Sequence, residues 1–241
     1  MNATARRILF FAGAAGLAAL LLWGIAGLPD FGHYRGPYGH ILNAVGVHQR
    51  HATDVVAAVV FDYRGFDTLG EEIILFAAAS AVALLLREAR DEEIGRPRLP
   101  QSSDGVRAVG LAAVGLTVVT GLYVVAHGYI TPGGGFQGGV VLAGALLLVF
   151  LAGEYRAFRS AAPVPLLDFA EGTGAGGYVV IGLAALLLGE AYLHNLLPLG
   201  TPGTLASSGS IAMLNVAVAL EVAAAFALLF TEFLEELAAE R

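Results

Sequence analysis

The chain has 241 residues, is 57% hydrophobic with a mean hydropathy of +0.73, and only 14% of it is charged, against about 25% in soluble domains. The absence of cysteine excludes disulfides, thiolate nucleophiles, iron–sulfur ligation and cysteine zinc sites, and the absence of lysine (all 13 basic residues are arginine) excludes a Walker-type phosphate loop and Schiff-base chemistry. The formal charge of -7 sits mostly in loops and the C-terminal tail, with no basic run for nucleic acid, so the composition describes an all-α, polytopic integral membrane protein.

A membrane span needs about 20 mostly apolar residues. The first such window, Ile8–Leu28, follows Arg6 and Arg7. A basic start before an apolar run also fits a secretory leader, but this run exceeds the roughly 7–15 residues of a leader core. The next segment, Pro29–Thr53, holds four histidines. His48 and His51 are three apart, a spacing that could share a metal on a helix; without cysteine or a matching carboxylate pair nearby, solvated loop histidines are the expected reading, and no metal site is assigned. Val55–Phe61 is apolar but too short to cross, which suits a surface or half-inserted helix.

Residues Phe61–Glu72, FDYRGFDTLGEE, lead into the second window, Ile73–Leu86, lengthened toward Phe66. Four acids and one arginine at a membrane boundary are costly unless paired or wet. Asp62 and Arg64 are expected to neutralise each other and Asp67 to cap the helix that carries Glu71. The functional alternative is a charged mouth or coupling element for cations. Arg87–Asp104, charged and with two prolines, reads as a linker between two halves, with Ser103 or Asp104 capping the next helix. The expected organisation is a two-span part at 1–88, a linker at 89–104 and a four-span domain at 105–241.

Val109–Ala126 is the third window, with Tyr123 and His127 one turn apart at its end. His127–Gly139, HGYITPGGGFQGG, then supplies Pro132, Gly133, Gly134, Gly135 and Phe136, a run hard to keep helical because proline lacks a donor and glycine loses more entropy on ordering. It is expected to form a tight reversal before the window Gly134–Ala152, in which Gly138 and Gly139 allow close helix packing. Gly172–Gly177 matches G-x-G-x-x-G, but it is read as leaving a loop and opening a lipid-embedded helix, outside the strand–turn–helix context of a dinucleotide site. In the window Tyr178–Leu197, Glu190 and His194 are four apart and expected to share a helix face, where they could pass protons or merely hydrogen-bond. Glu221 is the eleventh residue of the last window, Ile211–Phe230. A central acid must be protonated, paired or bathed in water. It is read either as an ion-path residue or as a protonated acid bonding a neighbouring protein of the complex.

Ten arginines lie in the N-terminal, linker, fourth-loop and C-terminal segments, against Arg35, Arg50 and Arg64 in the others. The positive-inside rule then gives six spans with both termini cytoplasmic.

HGYITPGGGFQGGVVLAG resembles the signature of the MnhB family, the MrpB-type component of Mrp multisubunit sodium/proton antiporters, and LPLGTPGTLASSG at Leu197–Gly209 looks like that family's connection between its last two spans. The resemblance covers about residues 105–235. Separately, FDYRGFDTLGEEIILF is similar to a motif of the C-terminal part of the MrpA-type antiporter component and of the MbhE-type component of membrane-bound hydrogenases, which implies two neighbouring subunits joined in one chain. The resemblance implies an accessory subunit in a multiprotein prokaryotic membrane complex related to respiratory complex I, without cofactor or catalytic residue of its own, its partners being other subunits and lipid. Glu221 and Glu190 match no family motif. Three functions remain open: an accessory subunit of a sodium/proton antiporter, the equivalent subunit of a hydrogenase-type complex, or a scaffold.

The arginine asymmetry generates the first prediction. In this thiol-free chain, cysteine placed at Thr131 should react with a membrane-impermeant reagent from the outside only; reaction from the cytoplasmic side alone would reverse the topology.

Overall fold

The computed structural model describes residues 3–28, 32, 36–89 and 103–239. Most of the expected linker 89–104 therefore lies outside the described residues, as do His33, Arg35 and Arg241. Among the described residues six helices are long and apolar enough to cross a membrane: Thr4–Ala26, Gly65–Leu86, Asp104–His127, Gly135–Gly153, Val164–Leu187 and Ser210–Glu235. The protein is an all-helical, multi-pass membrane protein.

The chain divides into two compact units, Met1–Ile41 and Leu42–Arg241, a boundary that falls within a helix. The first unit contains α1, Ala3–Ala26, and the start of α2, Pro37–Arg50. Proline opens α2 at the position where a missing N–H costs least, and His48 and Arg50 close it where the helix dipole favours cations.

The second unit continues with α3, Val55–Ala58, capped by the Asp54 carboxylate on the Val56 N–H at 3.1 Å. Burial pushes the Asp54 carboxyl up, and the Val56 and Ala57 N–H groups pull it partly back. A π-helical turn over Val59–Tyr63 follows, sealed by the Arg64 N–H on the Val59 carbonyl at 2.8 Å. The Thr68 hydroxyl donates to the Val60 carbonyl at 2.6 Å, and α4 runs over Gly65–Ala89. The apolar Val55–Phe61 stretch is thus a short lead-in to α4, with Ala57, Ala58 and Phe61 in the core and Val56 exposed.

After the undescribed residues come α5, Asp104–His127, and α6, Gly135–Ala161. Ser103 caps α5 through its hydroxyl on the Val106 N–H, as expected for a serine before an apolar run. The last two helices are α7, Val164–Leu187, and α8, Ser210–Ala239. α8 is the central element: 56% of its spanning window is buried, against 17% for α5, and it touches α4, α5, α6 and α7.

Small residues bring these helices together, as expected where lipid supplies no hydrophobic drive between them. A Cβ on Gly135 would lie 2.5 Å from the Asn215 carbonyl oxygen, and one on Gly139 would lie 2.8 Å from Val222. Gly133 and Gly134 take φ values of +152° and +133°, which side chains rarely adopt. The buried Asn215 amide then clasps the reversal, donating from Nδ2 to the Val125 carbonyl at 2.5 Å and accepting the Gly135 N–H at 2.6 Å.

The α7 window needs correction. Hydropathy places a span at Tyr178–Leu197 and a loop before it, whereas the helix covers Val164–Leu187 and the glycine run Gly172–Gly177 lies in its middle. Its downstream end is set by Gly189, at φ +82°.

Removing the Asn215 clasp should strand the buried Gly135 N–H at about 1–3 kcal/mol and take one of its two donors from the Val125 carbonyl, which keeps the Gly128 N–H. Asn215→Ala should therefore lower the thermal stability of the detergent-purified complex by several degrees, and Gly135→Val should abolish recovery of partners. Unchanged melting in Asn215→Ala would remove the clasp from the account of the fold.

Candidate functional site

Four glutamates are buried in the second unit, Glu72 of α4 at 1% exposed, Glu171 of α7 at 4%, and Glu221 and Glu232 of α8 at 0% and 1%; the first three bring together three helices. Each lies on its helix's buried stripe. On α7 that stripe is Leu167, Glu171, Gly174, Tyr178, Gly182 and Ala185, the spacing of one helical face. On α4, Thr68, Glu72, Ala79 and Ala83 share such a face.

The Glu72 and Glu221 carboxyl groups adjoin where α4 meets α8. None of their four oxygens has a hydrogen-bond donor among the described residues. As two carboxylates they have nothing to donate to each other, and a proton on either one supplies the missing donor. Like charges side by side in a medium of low dielectric repel strongly, so the two carboxyl groups are costly to ionise together.

Glu171 lies within electrostatic reach of both Glu221 and Asp168, and its Oε1 is also without a partner. Gly174, one turn along α7, sits against the α8 backbone: a Cβ there would be 2.5 Å from the Glu221 N and 2.7 Å from its Cβ. Within Gly172–Gly177 it is Gly174 that serves helix contact. On the other side of Glu72, Tyr178 is fully buried and donates from its hydroxyl to the Gly65 carbonyl at 2.9 Å. It belongs to an apolar cluster with Phe61, Leu69, Leu193, Ile211 and Leu214.

The charged entrance to α4 is arranged differently from the expected pairing. Asp62 accepts from Arg50 of α2 at 2.5 Å, and Arg50 also lies over the Tyr63 ring. Arg64 instead pairs with Asp67, with Nε donating at 2.6 Å, and both side chains are more than half exposed. Asp67 lies inside the first turn of α4 rather than at its cap. Glu71 points to the outer surface of α4, whereas its neighbour Glu72 faces the interior.

Glu190 and His194 do not share a helix, because α7 has ended. They lie in the connection to α8 with exposed side chains 3.9 Å apart. His127 stacks on Tyr123 at 4.1 Å and its Nδ1 contacts the Tyr123 carbonyl oxygen at 3.1 Å, an end-of-helix contact. His51 meets the Gly200 carbonyl through Nδ1 at 2.6 Å, and no metal-holding group of three ligands occurs among the described residues. Sequence reasoning singles out Glu221 but misses Glu72 and Glu171. Glu72 is masked by its adjacency to Glu71, and Glu171 by the misplaced span.

Residues 106–228 match the model of a family described as a domain related to the MnhB subunit of Na+/H+ antiporter. An uncharacterized protein of Methanocaldococcus jannaschii is 31% identical, the match covering 77% of this chain and 80% of that protein. The B-type component of the Na+/H+ antiporter of Alkalihalophilus pseudofirmus is 38% identical over 30% of this chain and 49% of its own length. Among solved structures, a chain of the membrane-bound sulfane sulfur reductase, an archaeal respiratory membrane complex, aligns with a TM-score of 0.72 at 29% identity, covering 95% of this chain and 98% of that one. A chain of the Mrp complex from Dietzia sp. DQ12-45-1b has the same fold, with a TM-score of 0.68 at 22% identity, and contains all of this chain within 27% of its length.

The two ion pairs at the entrance to α4 separate by burial. Asp67→Asn removes an exposed pair worth about 0–1 kcal/mol, whereas Asp62→Asn weakens a half-buried, charge-assisted bond worth about 1.5–3 kcal/mol. Thermal melting of the complex should fall for Asp62→Asn and hardly move for Asp67→Asn; the reverse order would contradict this ranking.

Proposed function

The chain belongs to the MnhB-related family of Na+/H+ antiporter subunits, and from that premise we propose that it is an accessory, non-catalytic subunit of a sodium(cation)/proton antiporter complex. It is a multi-pass protein of the prokaryotic plasma membrane, and its partners are other membrane subunits. The observation that carries the proposal is the buried Glu72–Glu221 pair with four oxygens and no donor. Antiport needs a site that a proton and a cation occupy in turn. A proton bridging two carboxylates can be replaced by one monovalent cation with the same net charge. Glu72 comes from the part that resembles the MrpA-type or MbhE-type component and Glu221 from the MnhB-like part. The proposed fusion therefore joins the two halves of one site.

A second reading is favoured by the sulfane sulfur reductase alignment, which covers nearly all of both chains. In that reading the same site serves a redox-driven, hydrogenase-type complex. With no cysteine in this chain, iron–sulfur clusters would lie in other subunits. The subunits that co-purify with it distinguish the two.

Glu221→Gln and Glu72→Gln keep shape and hydrogen bonding while removing the exchangeable charge. Both complexes should retain their subunits in a pull-down. Their cation/proton exchange in sealed vesicles should fall about tenfold, equivalent to ~1.4 kcal/mol, with an altered pH profile. Exchange and pH dependence unaltered in both variants would leave the pair as packing and support the scaffold reading.

A further inference from the structure

We propose that the cavity beside Asp168 and Glu171 is the entry half-channel through which cations or protons reach the Glu72–Glu221 pair from the arginine-rich face of the membrane, with the opposite face closed. This rests on the reading of that pair as the exchange site.

The cavity has a volume of about 290 Å³ and lies between α4, α7 and α8, lined by Ser80, Ala83, Asp168, Glu171 and Leu228 among others. It is ample for several waters, each taking about 30 Å³ in the liquid. All three helices present to it the end that joins the arginine-bearing segments: the C-terminal half of α4, the first turns of α7 and the last turns of α8. Of its two acids Asp168 is exposed and Glu171 is buried. Glu171 is 4% exposed, lines the cavity and leaves Oε1 without a partner. Among the described residues neither Asp168 nor Glu171 is paired with an arginine. A buried carboxyl on a cavity wall, with one oxygen unsatisfied by the protein, is where water or a cation would be held.

The acids rise through the membrane in steps. At 1.5 Å per residue, Asp168 and Glu171 stand about 6 and 10 Å into α7 from the arginine-rich end. Glu221 is about 21 Å from the same end of the α8 span, and Glu72 about 10 Å from the opposite end of α4. The step from Glu171 to Glu221 follows the α7–α8 seam at Gly174. Beyond Glu72 the path stops at Tyr178, Phe61, Leu69 and Ile211, a packed apolar layer. Access is therefore one-sided.

The experiment uses the intact complex in sealed vesicles of known sidedness, with Ser80→Cys in this otherwise thiol-free chain. Cationic and anionic methanethiosulfonate reagents are applied from each face, and exchange is measured before and after labelling. A negative, low-dielectric cleft concentrates cations about tenfold or more. The chain should thus be labelled from the arginine-rich face only, about tenfold faster by the cationic reagent, with exchange lost on labelling. In the Asp168→Asn, Glu171→Gln background the charge preference should vanish. Labelling from the opposite face, equal rates with both reagents, a preference that survives loss of both acids, or exchange unaffected by full labelling would each overturn the half-channel. Ala83→Cys, on the same wall, provides the measurement should Ser80→Cys fail to assemble. Selective labelling that blocks exchange, combined with normal exchange in Glu221→Gln, would keep the channel and remove the pair. Absent labelling with exchange abolished in Glu221→Gln would do the reverse.

Discussion

The arrangement depends on the contact of α8 with the glycine reversal between α5 and α6. A polar side chain in a membrane interior is tolerated when its groups are satisfied by protein, and Asn215 meets that condition by donating to the Val125 carbonyl and accepting the Gly135 N–H, which would otherwise be orphaned. The bonds require backbone to come within side-chain reach, which the absence of Cβ atoms at Gly134 and Gly135 permits. Serine or alanine at Gly135 would push α8 away and undo the clasp. The conformational freedom at Gly134 and the missing volume at Gly135 therefore serve a single joint.

That joint fixes the rotation of α8. Asn215 and Glu221 are six residues apart, so they project about 120° apart around the helix axis. With Asn215, Val218 and Val222 committed to α5 and α6, Glu221 is turned to α4 and α7, where Glu72 and Glu171 are buried. A central ionised acid costs several kcal/mol, and three acids together would be untenable as fixed charges. Under the proposed exchange role, a shared proton or cation, with water in the cavity beside Glu171, would relieve that cost. The α5–α6 hairpin is the frame against which the acid-bearing helices are held in register.

Much of this was legible in the sequence. Six spans, the serine cap of α5, the reversal at the triple glycine and the close packing at Gly139 follow from hydropathy, capping chemistry and the lack of a side chain. The α7 error has a physical cause. Asp168 and Glu171 lower the mean hydropathy of that helix to 1.3, the lowest of the six, so the apolar window slides downstream onto Leu186–Leu197, much of which is connection. The residues that give the helix its chemistry make it look less like a span. The partner of Glu221 is hidden differently: a choice between Glu71 and Glu72 turns on helix rotation, and α4 is too apolar all round for its periodicity to reveal which side is inward. Arg50 as the partner of Asp62 needs the turn after α2, with His51 at φ +52°, to fold back.

The two ends of the acid-bearing bundle are built in opposite ways. At the outer end by the arginine count, the connections knit together: Thr53 donates to the Ile130 carbonyl, Tyr129 to Leu205, Ser208 to His51, and Asn195 clasps the Ser208–Ser210 turn that starts α8. Beneath them lies the apolar layer around Tyr178. At the other end the hydroxyl of Tyr155 and the guanidinium of Arg159 meet Glu235, while a cavity opens between α4 and α7. Glu71 faces away from this bundle. It is exposed on the flank of α4 among Ile73 and Ile74, within the span, and a carboxylate there is poorly tolerated by lipid. Another protein of the complex or confined water has to cover it. Glu72 and Glu71, adjacent in sequence, face the bundle interior and the lateral surface respectively, so this turn of α4 carries one inward and one outward acid.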